Sequence, residues 1–244
     1  MNVVAIVQAR MGSSRLPGKV LRELGGKPML AQQLARLLKA RTLNNVVVAT
    51  TEDPRDEPIA QLCASLGIQC IRAHELDVLS RYHEAARVTN ADVVVRITAD
   101  CPLIDPGVTD QVVSALLERP QIDYTSNVVV RTFPRGLDVE AFWRDTLERM
   151  HRMAHSRHAR EHVTTFLREE RPTLFATHPV LDQGGNASDL RWTVDTPEDL
   201  TMIKAIFWEL DLANHYRTYP EILAFIRARP WLSAINAHIK QRVA

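Results

Sequence analysis

Three cations stand in one short loop. Arg10, Arg15 and Lys19 are set among the small residues Ala9, Gly12, Ser13, Ser14 and Gly18. Small residues let backbone N–H groups come close to an anion, and guanidinium and ammonium groups add fixed positive charge. That combination suits a polyphosphate, most simply a nucleoside triphosphate. The loop departs from the Walker pattern Gly-x-x-x-x-Gly-Lys-Ser/Thr. Here five residues separate Gly12 from Gly18-Lys19, and Val20 follows, so no hydroxyl stands ready for a metal. The competing reading is an ordinary solvated strand–helix loop carrying surface cations.

A triphosphate site calls for magnesium, which takes carboxylates, phosphate oxygens and water as ligands. Two aspartates lie where they could supply it. Asp100 follows the apolar run Val93–Ile97 in Thr98-Ala-Asp100-Cys-Pro-Leu-Ile-Asp105-Pro, and Asp195 follows Leu190–Val194 in Arg191-Trp-Thr-Val-Asp195-Thr-Pro-Glu-Asp199. Each could equally cap the next helix. Thr196 competes with Asp195 for that role, and Asp105 before Pro106 reads as a cap and nothing more. Cys101 beside Asp100 reads as a small packing residue, not a nucleophile.

The elements that must position these groups alternate in the first half. Strands are expected at Val3–Val7, Val46–Thr50, Ile68–Ile71 and Asp92–Ile97, with helices at Met29–Ala40, Glu57–Leu66, Val78–Thr89 and Pro106–Leu117. Such alternation implies parallel strands with right-handed crossovers and ligands beyond the strands' carboxyl ends. The motif-bearing loops fall at those ends. In the second half, Asp123–Val130 and Leu137–Trp143 read as antiparallel strands in a mixed sheet. Leu174–His178 and Leu190–Val194 read as further strands around a loop at Asp182–Asp189. Helices are expected at Asp145–Ala154, His158–Glu169, Pro197–Leu212 and Pro220–Arg229. Trp192 and Trp208 read as core or interface anchors, and the stretch Tyr219–Val243 as packing on the body or on a second subunit. The expected class is α/β: a Rossmann-like, mostly parallel mixed sheet with helices on both faces. The expected organisation is one domain over residues 1–244, with a helix and hairpin embellishment around 130–180.

Bulk properties narrow the function. Thirty Lys plus Arg against twenty-nine Asp plus Glu give a net charge of +1. That balance disfavours a protein that coats nucleic acid or an anionic membrane. Three cysteines without a Cys-x-x-Cys make neither a disulfide framework nor a zinc site. The N-terminal apolar run is too short for a signal or a membrane span, so a cytoplasmic enzyme is expected. His151, His155, His158 and His162 recur at helical spacing, which on one unbroken helix could bind metal. Against that, Ser156 can cap and split the stretch, and Arg152, Arg157 and Arg160 would repel a cation.

Several segments in order along the chain resemble the cytidylyltransferases that make CMP-activated acidic sugars, and most closely their spore-coat polysaccharide branch. They include Gln8-Ala-Arg10-Met-Gly-Ser-Ser-Arg15-Leu-Pro-Gly-Lys19, Asp77-Val-Leu-Ser-Arg81-Tyr and Arg96-Ile-Thr-Ala-Asp100-Cys-Pro-Leu-Ile-Asp105-Pro. Asp123-Tyr-Thr-Ser-Asn127, Pro134-Arg-Gly-Leu-Asp138-Val-Glu140-Ala-Phe, Arg160-Glu-His162-Val-Thr164 and Arg191-Trp-Thr-Val-Asp195-Thr-Pro-Glu-Asp199-Leu complete the set. The resemblance implies a glycosyltransferase-A-like fold, CTP and an acidic sugar as reactants, Mg2+, commonly a homodimer, and a place in surface polysaccharide synthesis. It assigns Ala9, Arg10, Gly12, Ser13, Arg15 and Lys19 to the nucleotide phosphates, Asp100 and Asp195 to the metal, and Asp77 and Arg81 to the vicinity of base and ribose. Asp138, Glu140, Arg160 and His162 fall to the acceptor side.

Two other classes compete. A nucleotide-sugar-dependent glycosyltransferase on the same fold usually carries Asp-x-Asp, whereas Thr98-Ala-Asp100-Cys-Pro102 has one aspartate. A catalytically silent nucleotide-binding homologue would not need Arg15, Lys19, Asp100 and Asp195 together.

Overall fold

The computed structural model describes residues 1–241. Strand β1 (Val3–Gln8) lies in the middle of the sheet. Its alternate side chains enter opposite hydrophobic clusters: Val3, Ala5 and Val7 one, Val4 and Ile6 the other. Burial on both faces explains the unbroken apolar run. A small hairpin follows, β2 (Glu23–Leu24) and β3 (Lys27–Pro28), turning through Gly25 and Gly26 at positive φ. Then α1 (Met29–Leu37), β4 (Asn45–Thr51), α2 (Glu57–Ser65), β5 (Cys70–Ala73), α3 (Val78–Val88), β6 (Val93–Thr98) and α4 (Pro106–Leu117) alternate as expected. β4 and β6 flank β1 in parallel, and β5 extends β4 in parallel.

The second half supplies β7 (Tyr124–Ser126), β8 (Glu140–Trp143), α5 (Arg144–Met153), α6 (Arg157–His162), β9 (Thr177–Pro179), α7 (Pro197–Glu209), α8 (Tyr219–Arg227) and α9 (Pro230–Ala234). β8 inserts antiparallel between β6 and β7, and β9 adds parallel to β7. The sheet order is β5-β4-β1-β6-β8-β7-β9. Residues from α1, α4, α7 and α8 pack on one face, and residues from α3 and α5 on the other. This is the expected α/β class. Residues 130–180 give β8 and β9 to the sheet and α5 and α6 to its flank.

Three expectations change. Leu190–Val194 is not a strand; it is extended, with one parallel bridge between Arg135 and Arg191, because its other backbone partners belong to loops. Leu174–His178 gives way to a 3-10 turn at Pro172–Leu174 and the displaced β9. The helix expected at His158–Glu169 breaks at buried Val163, whose φ is 57°. There the Thr164 N–H donates to the His162 carbonyl at 2.7 Å, closing a three-residue turn that is strained for a β-branched residue. Trp192 is fully buried in the core, and Trp208 is 86% exposed, which leaves it only the interface half of its reading. The end of the Tyr219–Val243 stretch lies outside the described residues; its earlier part packs on the body through Ile222 and Ile226.

Candidate active site

A cleft of about 430 Å3 opens at the carboxyl ends of β1 and β6. Its β1 wall is the cationic loop. The Met11 N–H donates to the Asp56 carboxylate at 2.7 Å, and the Gly18 N–H returns to the Met11 carbonyl at 3.0 Å. Gly18, at φ 67°, then starts the short turn Lys19–Leu21. These bonds fold the loop back and carry Lys19 inward.

Lys19 Nζ donates to Asp100 Oδ2 at 3.0 Å, to Asp195 Oδ1 at 2.8 Å and to the Val194 carbonyl at 2.8 Å. The second oxygen of Asp100 accepts the Thr98 hydroxyl at 2.6 Å. The second oxygen of Asp195 lies 3.1 Å from Arg15 and accepts from Arg191 at 2.9 Å. Burial works against the charge on Lys19, yet the two carboxylates outweigh it and raise its pKa above the ordinary value. For Asp100 burial likewise opposes charge, and Lys19 with the Thr98 hydroxyl holds the carboxyl below its ordinary range. Lys19 and Asp100 are therefore both charged across the neutral range.

Asp195 is free for this role because Thr196 does the capping. The Thr196 hydroxyl accepts the Asp199 N–H at 3.3 Å, and Asp199 accepts the Thr196 N–H at 3.1 Å, a reciprocal capping box. Asp105 does cap α4, accepting from Val108 N–H, but it also accepts from the Tyr216 hydroxyl and the Tyr219 N–H. It thereby ties the start of α8 to α4, so it is more than the cap the sequence suggested.

Ala9, Arg10, Gly12, Ser13, Arg15, Lys19, Asp100, Asp195 and His162 all line this cleft. Arg81 lines an adjoining pocket of about 110 Å3, with Arg10 and His162 shared between the two. Its side chain is almost wholly buried and donates to the carbonyls of His74 and Glu75. Asp77 turns elsewhere: it caps α3 through Ser80 N–H at 2.9 Å and pairs with Arg160. Arg160 also donates to Ser80 Oγ at 2.7 Å and to the His151 carbonyl at 2.9 Å. This pair fastens α6 to α3 and so holds His162 at the cleft. Asp138 is gripped by both terminal nitrogens of Arg131, at 2.7 and 3.0 Å. Glu140, expected to contact substrate, is instead enclosed by Arg96 and the Tyr124 hydroxyl and only 3% exposed. It reads as a structural carboxylate. Thr98 and Arg191, which fix the two aspartates, stand in the quoted motifs but were given no role from sequence; they lie two and four residues from their partners, spacings that outside a helix do not mark a contact.

Ser156 caps α6 by accepting the Ala159 N–H, so the histidine stripe is split as that residue suggested. His151 stacks on His83 at 4.1 Å instead. No group of three or more His, Cys, Asp or Glu among the described residues is arranged to hold a metal. For magnesium the demand is smaller, since phosphate and water complete its shell. Asp100 and Asp195 already converge on one cation, the Lys19 ammonium, and offer hard oxygen donors. The donor set fits the ion.

Fold and site together define a nucleotidyltransferase-type α/β protein. The chain belongs to the cytidylyltransferase family, whose profile matches residues 4–217. It is 31% identical over 212 residues to the spore coat polysaccharide biosynthesis protein SpsF of Bacillus subtilis, covering 84% of this chain and 86% of that one. A cytidylyltransferase structure from Leptospira borgpetersenii superposes with a TM-score of 0.89 at 31% identity, covering 100% of both chains. The CMP:2-keto-3-deoxy-manno-octonic acid synthetase solved with CTP superposes with a TM-score of 0.65 at 21% identity, covering 86% of this chain and 100% of that one, a likeness of fold. Among the described residues, no helix is long and apolar enough to cross a membrane.

Proposed function

We propose that this chain transfers CMP from CTP to a hydroxyl of an acidic sugar or related acceptor, releasing pyrophosphate, and that it serves surface polysaccharide synthesis. The observation that carries the reading is the Lys19 ammonium seated between Asp100 and Asp195 at the end of a cationic loop. Family membership favours cytidine as the base. The likeness to SpsF favours a polysaccharide role, and the solved relative with CTP bound favours the triphosphate as donor.

In this reading Arg10, with the backbone around Gly12 and Ser13, takes the triphosphate, and Arg15 and Lys19 stabilise charge on the leaving pyrophosphate. The acceptor oxygen attacks the α-phosphorus in line. Asp100 and Asp195 would hold Mg2+, with Thr98 and Arg191 fixing their carboxylates. When bound, that ion neutralises phosphate charge and acidifies the acceptor hydroxyl. The acceptor hydroxyl proton would then pass to solvent, and no protein residue is assigned as its base. His162, held at the cleft by the Arg160–Asp77 pair, faces the space between the two pockets and orients the acceptor.

The test is pyrophosphate release with each of the four NTPs, Mg2+ and a panel of acidic sugars. CTP alone should support turnover, and Asp100→Asn should keep the fold while losing most of it. Equal release in that variant, or indifference to the base, would overturn the reading. A glycosyltransferase would instead require a sugar nucleotide, and a silent homologue would give no release at all.

A further inference from the structure

Most arginines that are partly or wholly buried in this protein have an acidic partner. Arg15 meets Asp195, Arg36 meets Asp105, Arg96 meets Glu140, Arg131 meets Asp138, Arg160 meets Asp77 and Arg191 meets Asp199. Arg135 breaks the pattern. It is of intermediate exposure, yet among the described residues its guanidinium has no hydrogen-bond or ion-pair partner. Desolvation, then the neighbouring Arg131, work against its charge. Holding an unpaired cation part-way out of water is costly unless something else supplies the counter-charge.

Its backbone is fixed firmly. The Arg135 N–H donates to the Leu190 carbonyl at 3.0 Å, and the Trp192 N–H donates to the Arg135 carbonyl at 2.6 Å. Gly136 follows at φ 109°, pressed on the Trp192–Thr193 peptide so tightly that a Cβ would lie 2.5 Å from the Thr193 nitrogen. Arg135 and Arg191 are bridge partners, and such partners project to the same face. Arg191 points to Asp195, so Arg135 stands on the Asp195 side, in the field of Asp138 and Asp195. Both carboxylates are already engaged, Asp138 by Arg131 and Asp195 by Arg15, Lys19 and Arg191. The residue belongs to the β7–β8 connection.

We infer that Arg135 is the anchor for an anionic group on the acceptor, its carboxylate in the case of a sugar acid. This rests on the reading of the cleft as a CTP-dependent transferase. Neither Asp138 nor Glu140 can serve as that anchor, since both carry the wrong sign and have partners. The leaving pyrophosphate is the other anion that could reach a guanidinium here. In this reading its charge is met by Arg15 and Lys19, and the pyrophosphate titration separates it from the acceptor.

The experiment is calorimetry on the full chain, wild type against Arg135→Gln and Arg135→Lys. The titrants are CTP with Mg2+, pyrophosphate, N-acetylneuraminate and 3-deoxy-manno-octulosonate, with N-acetylmannosamine as a neutral control. The expected result is a roughly tenfold or larger loss of sugar-acid affinity in Arg135→Gln, in keeping with a lost charge-assisted bond, partly restored by lysine. Affinity for CTP and the melting temperature stay as in wild type, because the guanidinium has no partner to lose. Equal sugar-acid affinity in wild type and Arg135→Gln overturns the inference. So does a wild type that does not distinguish sugar acids from the neutral sugar, or a loss confined to pyrophosphate, or a fall in melting temperature that would reveal a structural pairing. Failure of the cytidylyl reading shows separately, as a wild type that does not bind CTP.

Discussion

Asp199 accepts the backbone N–H of Asp195 at 3.0 Å while its other oxygen is bonded to Arg191 at 2.9 Å and to Asn236 at 2.9 Å. One buried carboxylate thus fixes both the main chain of Asp195 and the guanidinium that grips its side chain. Asp199→Ala should cost about 3 kcal/mol, the range for breaking a buried charge pair. It should also cut turnover by misplacing Asp195. Urea unfolding together with pyrophosphate release checks both; a variant of unchanged stability would show that Asp195 is positioned by other means.

Lys19→Met removes the cation shared by Asp100 and Asp195. Asp100 then loses its ion-pair partner, while Asp195 keeps Arg15 and Arg191, so the protein should melt lower without divalent ions. Mg2+ should raise the melting temperature of this variant more than that of wild type. A thermal-shift series in Mg2+ reads the difference, and identical slopes would count against a shared cation position.

Glu140→Gln should act on stability more than on acceptor KM. The residue lies between Arg96 and the Tyr124 hydroxyl with no free face. Burial opposes its charge, yet Arg96 and Arg168 keep its carboxyl below the ordinary range. Leaving Arg96 unpaired should cost on the order of 3 kcal/mol. A normal melting temperature with a raised acceptor KM would return Glu140 to the substrate.

The pH prediction concerns His151 and His162. Burial first, with the Arg160 guanidinium adding to it at His151 and Arg96 at His162, holds both imidazoles below their ordinary pKa, against an opposing pull from Glu161 on His162. The unfolded chain therefore binds more protons as pH drops through about 6.5, the unperturbed histidine value, and stability falls in that window. Melting curves between pH 7.5 and 5.5 should show a loss of a few degrees, on the order of 1 kcal/mol, reduced in His151→Gln. The paired carboxylates act at lower pH, since their depressed pKa values release stability only in the acid range.

The parallel half of the fold was legible because β1, β4 and β6 are buried on both faces and read as apolar runs. Lys19, Asp100 and Asp195 were legible as residues at strand ends, and Thr196 was rightly set against Asp195 as the cap. Their convergence on one ammonium was not, since no local pattern links positions so far apart in the chain. The segment 190–194 misled because buried Trp192 and Val194 imitate a strand, while its actual partners are the Arg135 and Asp100 backbones. The hairpin at 23–28 carried a readable Gly25-Gly26 turn but too short a pair of arms to stand out. Glu140 shows the same limit: its acidity was visible, but not the arginine that β6 places beside it.

Val194 offers its carbonyl, and Asp195 its carboxylate, to the loop lysine, which lies 175 and 176 positions earlier in the chain. Any truncated product ending short of these residues would leave Lys19 held by Asp100 alone of these three partners. Completion of this three-way grip on the lysine thus waits on the stretch just before α7 docking against the β1 loop.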